Sequence, residues 1–507
     1  MIKIRNLIIK AEGSNNTPLL DISDLNIEKG KIVFLIGESG SGKSLTLSAL
    51  AAWKKQGLDY KGELNIALSG YGIDKNYPLL ELPESALLKF RKQHLGYIMQ
   101  QPYAAMNPTM KLGKQILEKR IENDQATSRK KQGEEEVKQL LENLQLDDVD
   151  RMMQSYPYEL SGGQVQRMAI AMALQNQPEL ILADEPTSAL DASTRKKVLE
   201  LLIESCRARN ITLIISSHEL DSVREFADEL ICLKDGKIVY RGSADDSAIT
   251  HDYTFSFFKA FDQYSQAPEK NQRSDRSSID EEKKIKIKDL DYSYKSKAVL
   301  KDRSENTVFK NLNIAFRKNC RVGVLGDSGS GKTTLARLIC GLVSPDNGSL
   351  SFGDKAFKKG IREKDYPKIQ MVFQDPYSSF NPIRSIYAQL KEVAENQYKK
   401  PERLAELMSE FGLIESMANR KPHQLSGGQL QRFAIIRVLI SEPDGLIMDE
   451  FVTGLDIHWK IRIIEEVKKY LLTRPLNIWV ISHEEQLLRH LCDELFLLKN
   501  GQFELIS

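Results

Sequence analysis

A set of four landmarks occurs twice along this chain, in the same order, so any fold proposed for it has to be one that can be built twice. Gly37-Glu38-Ser39-Gly40-Ser41-Gly42-Lys43-Ser44 returns as Gly326-Asp327-Ser328-Gly329-Ser330-Gly331-Lys332-Thr333, and Ser161-Gly162-Gly163-Gln164 returns as Ser426-Gly427-Gly428-Gln429. Asp184-Glu185 returns as Asp449-Glu450, and Ser217-His218-Glu219 as Ser482-His483-Glu484. Lys43 and Lys332 lie 289 positions apart, whereas the three later landmarks are each offset by 265. From the SGGQ segment onward the halves match without net gap, and the first half carries 24 extra residues before it. A duplicated domain explains this, with the added length in surface elements.

Within each half the pattern is strand, glycine-rich turn, helix, polar helical stretch, then apolar strands alternating with helices. Lys31–Ile36, Leu180–Ala183 and Ile211–Ile215 read as buried strands. The alternation predicts an α/β domain with a mostly parallel sheet. Met1–Lys10 alternates like an edge strand and lacks the continuous apolar core of a signal peptide. The run from Gln263 to Ser278 is polar and nearly free of aliphatic residues, as a linker would be. The expected domains are 1–252 and 285–507, with a linker over 253–284. Tyr253, Phe255, Phe257 and Phe258 are expected to close the first domain as an amphipathic element, a partner-binding patch being the alternative.

Charge narrows the partners. Lys plus Arg number 72 against 70 Asp plus Glu, so no global field draws the chain to nucleic acid, and none is expected as a partner. The stretch Ser128–Glu136 reads as a solvated helical face. No apolar run approaches the length of a membrane span, so the chain is expected to be soluble or to reach a membrane through a partner. Five scattered cysteines without a CxxC suggest neither disulfides nor zinc, which fits a reducing cytoplasm.

Both glycine-rich segments satisfy GxxxxGK[ST] and follow an apolar strand. Glycines let backbone wrap phosphate closely, and the next helix offers its first N–H groups. Lys43 and Lys332 are expected to neutralise β- and γ-phosphates, with Ser44 and Thr333 ligating magnesium. Asp184 and Asp449 end apolar strands, where a carboxylate meets the ligand crevice and can hold the same metal. Glu185 and Glu450 are expected as general bases, a helix-capping acid pair being the plain alternative. His218 and His483 are expected to hydrogen-bond the γ-phosphate.

These residues resemble the nucleotide-binding subunits of ABC transporters over nearly the whole chain. Leu160–Gln164 and Leu425–Gln429 are similar to that family's signature, Ser188–Asp191 and Thr453–Asp456 to its D-loop, and Gln100 and Gln374 to the Q-loop glutamine that senses magnesium and water. The resemblance implies two P-loop domains in tandem, each a RecA-like core plus a helical subdomain, joined head to tail as a pseudo-dimer. One site would combine Lys43, Ser44, Gln100, Asp184, Glu185 and His218 with Ser426–Gln429. The other would combine Lys332, Thr333, Gln374, Asp449, Glu450 and His483 with Ser161–Gln164. ATP and Mg2+ are the implied cofactors, and both sites are expected to hydrolyse.

A narrower likeness lies in Phe373–Pro382 and its looser copy Met99–Pro108, which resemble the dipeptide, oligopeptide and nickel importer ATPases. That implies two integral membrane permease subunits, an extracytoplasmic substrate-binding protein, and a peripheral location on the cytoplasmic face of a bacterial membrane. Gln100–Leu112 and Gln374–Ile386 would meet the permeases. A ribosome-associated tandem ABC ATPase and an exporter's ATPase are the alternatives. Tyr294 is expected to stack on adenine, with Tyr292 as fallback, while the aligned residue of the first half is Ala11 and implies weaker binding there. No cysteine-rich segment precedes Ser507, so no iron–sulfur cluster is expected.

Overall fold

The computed structural model describes residues 2–13, 17–68, 75–121, 127–187, 190, 192–266, 284–295, 305–317, 320–327, 329–352, 355–357, 368–396, 401–453, 455–472, 476–499 and 501–506. Ser328, the D-loop positions 188, 189, 191 and 454, and the linker stretch 267–283 lie outside them. The chain divides into two compact units, Met1–Lys259 and Ala260–Ser507.

Each unit contains a six-stranded sheet. In the first the order is Lys237–Gly242, Glu229–Lys234, Ile32–Ile36, Thr212–Ser216, Leu180–Asp184, Leu95–Ile98. All neighbours run parallel except the first pair. The second unit repeats this with Gln502–Leu505, Glu494–Lys499, Arg321–Leu325, Asn477–Ser482, Gly445–Asp449 and Ile369–Val372. Ile32–Ile36, Thr212–Ser216 and Gly445–Asp449 are buried at every position, as strands covered on both faces must be. Carboxylates at the ends of Leu180–Asp184 and Gly445–Asp449 therefore emerge at the carboxyl edge of the sheet, beside the loops that follow Ile36 and Leu325.

Each unit also has a four-stranded antiparallel sheet that the α/β pattern did not announce: Leu20–Ile27, Ile2–Ala11, Leu58–Leu68, Lys75–Pro78 in the first, and Glu305–Arg317, Lys284–Lys295, Asn347–Phe352, Lys355–Phe357 in the second. The amino-terminal strand is not an edge strand, because Ile2–Ala11 pairs on both sides. Its alternation reports one buried face, with Ile2, Ile4, Leu7 and Ile9 in the core, and says nothing about which edges are paired. A bulge breaks the register at Asn6, whose φ is 48°, and at Asp289, whose φ is 51°. Gly62 and Gly348 face these bulges, where a Cβ would come within 2.1 Å of the Asn6 carbonyl and 2.4 Å of the Asp289 carbonyl. The matching bulges align Leu7 with Leu290, and hence Ala11 with Tyr294.

The 24 extra residues fall in two places. Gln100 and Gln374 are offset by 274, so 15 precede Gln100 and 9 follow it. Helix Glu84–His94 occupies the first stretch and has no counterpart among the described residues of the second unit. In the second, helix Thr127–Asn143 has 17 residues where Pro401–Glu410 has 10.

Asp252–Ser265 is a helix, and the unit boundary falls inside it. In the first unit Phe257 and Phe258 are buried, Tyr253 meets Phe257 edge-on, and Lys234 lies over the Tyr253 ring at 4.4 Å. Phe255 is exposed.

Candidate active sites

The strand-to-helix loop is held the same way in both units. Lys43 Nζ donates to the carbonyls of Gly37 at 2.7 Å and Glu38 at 3.0 Å, and Lys332 Nζ to those of Gly326 at 2.6 Å and Asp327 at 2.7 Å. A Cβ on Gly37 would sit 2.2 Å from the Leu233 carbonyl, while one on Gly40, at φ 86°, would meet nothing within 4 Å. Gly37 is thus required by packing, and Gly40 by a left-handed turn that opens a concavity. Ser41 Oγ and Ser330 Oγ are buried in these loops without a hydrogen-bond partner. Buried hydroxyls of that kind need an acceptor, and phosphate oxygens would supply it.

Next to each loop a hydroxyl meets a carboxylate. Ser44 Oγ donates to Asp184 Oδ1 at 3.1 Å and Thr333 Oγ1 to Asp449 Oδ2 at 2.8 Å. Two hard oxygen donors beside a phosphate loop fit magnesium, which takes few protein ligands and completes its shell with water and phosphate.

Glu185 and Glu450 both have φ of 45°, the left-handed region that a side chain rarely adopts. The turn is pinned by Glu185 N–H donating to Ser216 O at 3.2 Å and Glu450 N–H to Ile481 O at 2.9 Å. It aims the glutamate away from the preceding aspartate and at a histidine. His218 Nε2 lies 2.6 Å from Glu185 Oε1, and His483 Nδ1 3.2 Å from Glu450 Oε1. Gln100 Nε2 donates to Glu185 Oε2 at 2.7 Å and Gln374 Nε2 to Glu450 Oε2 at 3.3 Å, so both glutamines contact the glutamates rather than the hydroxyl–carboxylate pairs. Burial pushes both glutamates up, but the histidine hydrogen bond and the histidine and lysine charges outweigh it and hold each below the usual value. Both are ionised at neutral pH, as a water-polarising base has to be.

The sites are not identical. Ser216 Oγ also donates to Asp184 Oδ1 at 2.7 Å, while the equivalent strand position opposite Asp449 is Ile481. Burial raises the Asp449 carboxyl above its ordinary value, against the Thr333 hydrogen bond that lowers it. Tyr294 is 41% exposed, and its hydroxyl lies 3.1 Å from Thr334 Oγ1 beside the phosphate-loop helix.

The SGGQ segments start helices Gly162–Leu174 and Gly427–Leu439 with reciprocal caps. Ser161 N–H donates to Gln164 Oε1 at 3.0 Å, and Ser426 N–H to Gln429 Oε1 at 3.1 Å. Two further residues went unnoticed in the sequence. Gln115 Oε1 accepts from Asn107 N–H, and its amide donates to the Asn107 and Met110 carbonyls. Gln389 does the same for Asn381 N–H and the Asn381 and Arg384 carbonyls. Both knots brace the Asn-Pro turn after the Q-loop, and their shared offset of 274 with Gln100 and Gln374 is the signal that finds them.

A phosphate loop, a hydroxyl–carboxylate pair and a glutamate–histidine pair, built twice, define a tandem P-loop nucleotide hydrolase. The family model described as ABC transporter matches residues 20–188 and 309–453, and the chain belongs to that family. It is 30% identical to the peptidoglycan transport ATP-binding protein YejF of Agrobacterium fabrum, over 99% of this chain and 91% of that one. It is 28% identical to the glutathione import ATP-binding protein GsiA of Salmonella typhimurium, over 98% of this chain and 84% of that one. Among solved structures, RNase-L Inhibitor covers 99% of this chain and 89% of its own at TM-score 0.60 and 18% identity, a likeness of fold. The protein is an ABC ATPase with two cassettes in tandem.

Proposed function

We propose that the protein powers an importer for peptide-containing solutes, binding MgATP in each cassette and acting on separate membrane permeases. The observation that carries the chemistry is the Glu185–His218 contact and its Glu450–His483 copy. Ser44 with Asp184, and Thr333 with Asp449, would hold magnesium, which supplies charge neutralisation on the transferred phosphoryl group. Lys43 and Lys332 meet the β- and γ-phosphates. Ionised Glu185 or Glu450 takes a proton from the attacking water as its oxygen bonds the γ-phosphorus and the bond to the β-phosphate oxygen breaks. His218, His483, Gln100 and Gln374 hold those carboxylates in place, and the SGGQ helix starts offer N–H groups to γ-phosphate.

Import through partners is supported by the names of the relatives, one for peptidoglycan transport and one for glutathione import. Among the described residues no helix is long and apolar enough to cross a membrane, so a pore would have to come from other subunits. Beyond the Q-loops, Tyr103, Tyr377 and Ile383 are exposed apolar side chains. A cleft of about 510 Å³ lined by Phe380, Asn381, Arg384, Glu392 and Arg437 lies beside the last two. That is a surface on which a permease's cytoplasmic helix can seat. In the first unit Tyr103 Oη donates to Leu160 O at 3.1 Å, tying its own Q-loop segment to the residue before the first SGGQ.

The test is to isolate the Glu185→Gln, Glu450→Gln variant with ATP from detergent-solubilised native membranes. Recovery of integral membrane subunits is the expected result, and their neighbours would point to the cargo. Recovery of ribosomes without membrane protein would overturn the proposal.

A further inference from the structure

The glutamate that follows each site histidine is secured differently in the two units. In the first, Glu219 pairs with Arg195 at 3.1 Å and accepts from the hydroxyls of Thr187 and Ser222, each at 3.4 Å. In the second, Glu484 pairs with Lys460 at 2.8 Å, but the positions equivalent to Thr187 and Ser222 are Val452 and Leu487, which carry no hydroxyl. The missing donor comes from elsewhere: Tyr264 Oη donates to Glu484 Oε2 at 2.8 Å. Tyr264 belongs to the second unit's share of helix Asp252–Ser265.

Tyr264 makes two more contacts on the same element. Its ring stacks on His490 with centroids 5.4 Å apart and planes 9° from parallel, and its carbonyl accepts from His490 Nε2 at 2.8 Å. Glu484 immediately precedes the seven-residue helix Glu485–Leu491, and His490 lies in its last turn. In the first unit the position of His490 is Glu225, which pairs with Lys196 instead.

We propose that Tyr264 is a positioning residue for the second catalytic centre, its hydroxyl, ring and carbonyl gripping both ends of the short helix that begins beside His483. The first centre has this function built into its own unit through Thr187 and Ser222. In the second it depends on Tyr264, near the start of that unit. The proposal rests on the reading of Glu450 and His483 as catalytic. A side chain acting through a neighbour's geometry should change turnover more than substrate affinity.

The test uses the full chain with the first site disabled by Glu185→Gln, so that turnover reports the second site alone, and adds Tyr264→Phe, which keeps the ring and removes only the hydroxyl. Turnover is expected to fall about threefold to tenfold, less than the full worth of a hydrogen bond to a charged group because Tyr264 acts through Glu484 and its helix, with KM changing by less than about twofold. Adding Val452→Thr, which supplies the hydroxyl the first unit uses, should restore turnover. In histidine-labelled protein the His483 resonance, assigned with His483→Ala, should shift on Tyr264→Phe while that of His218 stays. Unchanged turnover with an unmoved His483 resonance, or a loss that Val452→Thr does not repair, would overturn the proposal. If His483→Ala in the same Glu185→Gln background left hydrolysis intact, the catalytic reading beneath it would fall as well.

Discussion

Ser216 Oγ donates to Asp184 Oδ1 across neighbouring strands at 2.7 Å, and the residue in the same register opposite Asp449 is Ile481. The first strand-end carboxylate is thus held by two hydroxyls, the second by Thr333. Ser216→Ile should raise the Mg2+ concentration that half-saturates nucleotide binding at the first site by about tenfold, the lower end of a charge-assisted hydrogen bond. Burial raises the Asp449 carboxyl, so protonation should disable the second site from higher pH than an ordinary aspartate would. Ile481→Ser adds a donor to the ionised form and should move the acid limb of turnover to lower pH. An unmoved limb would contradict this.

Tyr294 and Ala11 predict unequal nucleotide binding. Tyr294→Ala should weaken ATP binding to the second cassette by about fivefold to 150-fold, from about 1–3 kcal/mol of base stacking. Ala11→Tyr should tighten the first. Equal affinities in variants disabled at one site or the other would refute the asymmetry.

Glu484 carries a pH prediction with a definite sign. Burial opposes its charge, but Lys460 and the Tyr264 hydroxyl overcome this and bring the carboxyl down to about 2. A depressed carboxyl stabilises the fold above its ordinary range and loses that contribution as pH falls from about 4.5 towards 2. Thermal melts should therefore show Glu484→Gln losing less stability than the parent as pH drops through this window. Lys460→Met should cost about 2–4 kcal/mol at neutral pH, somewhat under the figure for a fully buried pair, because both side chains keep some solvent contact.

Gln389→Leu tests the proposed permease surface. It leaves the Asn381 N–H and two carbonyls short of their partner, at about 1–3 kcal/mol for each group that stays unpaired. Basal ATP turnover should persist while stimulation by reconstituted permease is lost. Full stimulation would place the coupling elsewhere.

How much of this was legible in the sequence depended on whether a residue's role is local. Phosphate loops, strand-end carboxylates and histidines announce themselves because their chemistry fixes both residue type and spacing. The mostly parallel sheet followed from fully apolar runs such as Ile32–Ile36, though not its count of six strands. The antiparallel sheet did not, since the alternation of Ile2–Ala11 identifies a buried face but not the strands beside it. Contacts such as Tyr264 with Glu484 join residues 220 positions apart and leave no periodic trace. Ser216 was hidden for another reason: it stands beside Ser217, and only the strand register shows which of the two faces Asp184.

The central proposal is that each cassette supplies a hydrolytic centre with Glu185 or Glu450 as its base. Its most direct test is single-turnover hydrolysis with bound-nucleotide stoichiometry for the parent and for Glu185→Gln, Glu450→Gln and the double variant. The account predicts that the double variant binds two ATP per chain with Mg2+ and leaves both intact. Hydrolysis persisting in the double variant, or binding of only one nucleotide, would contradict it.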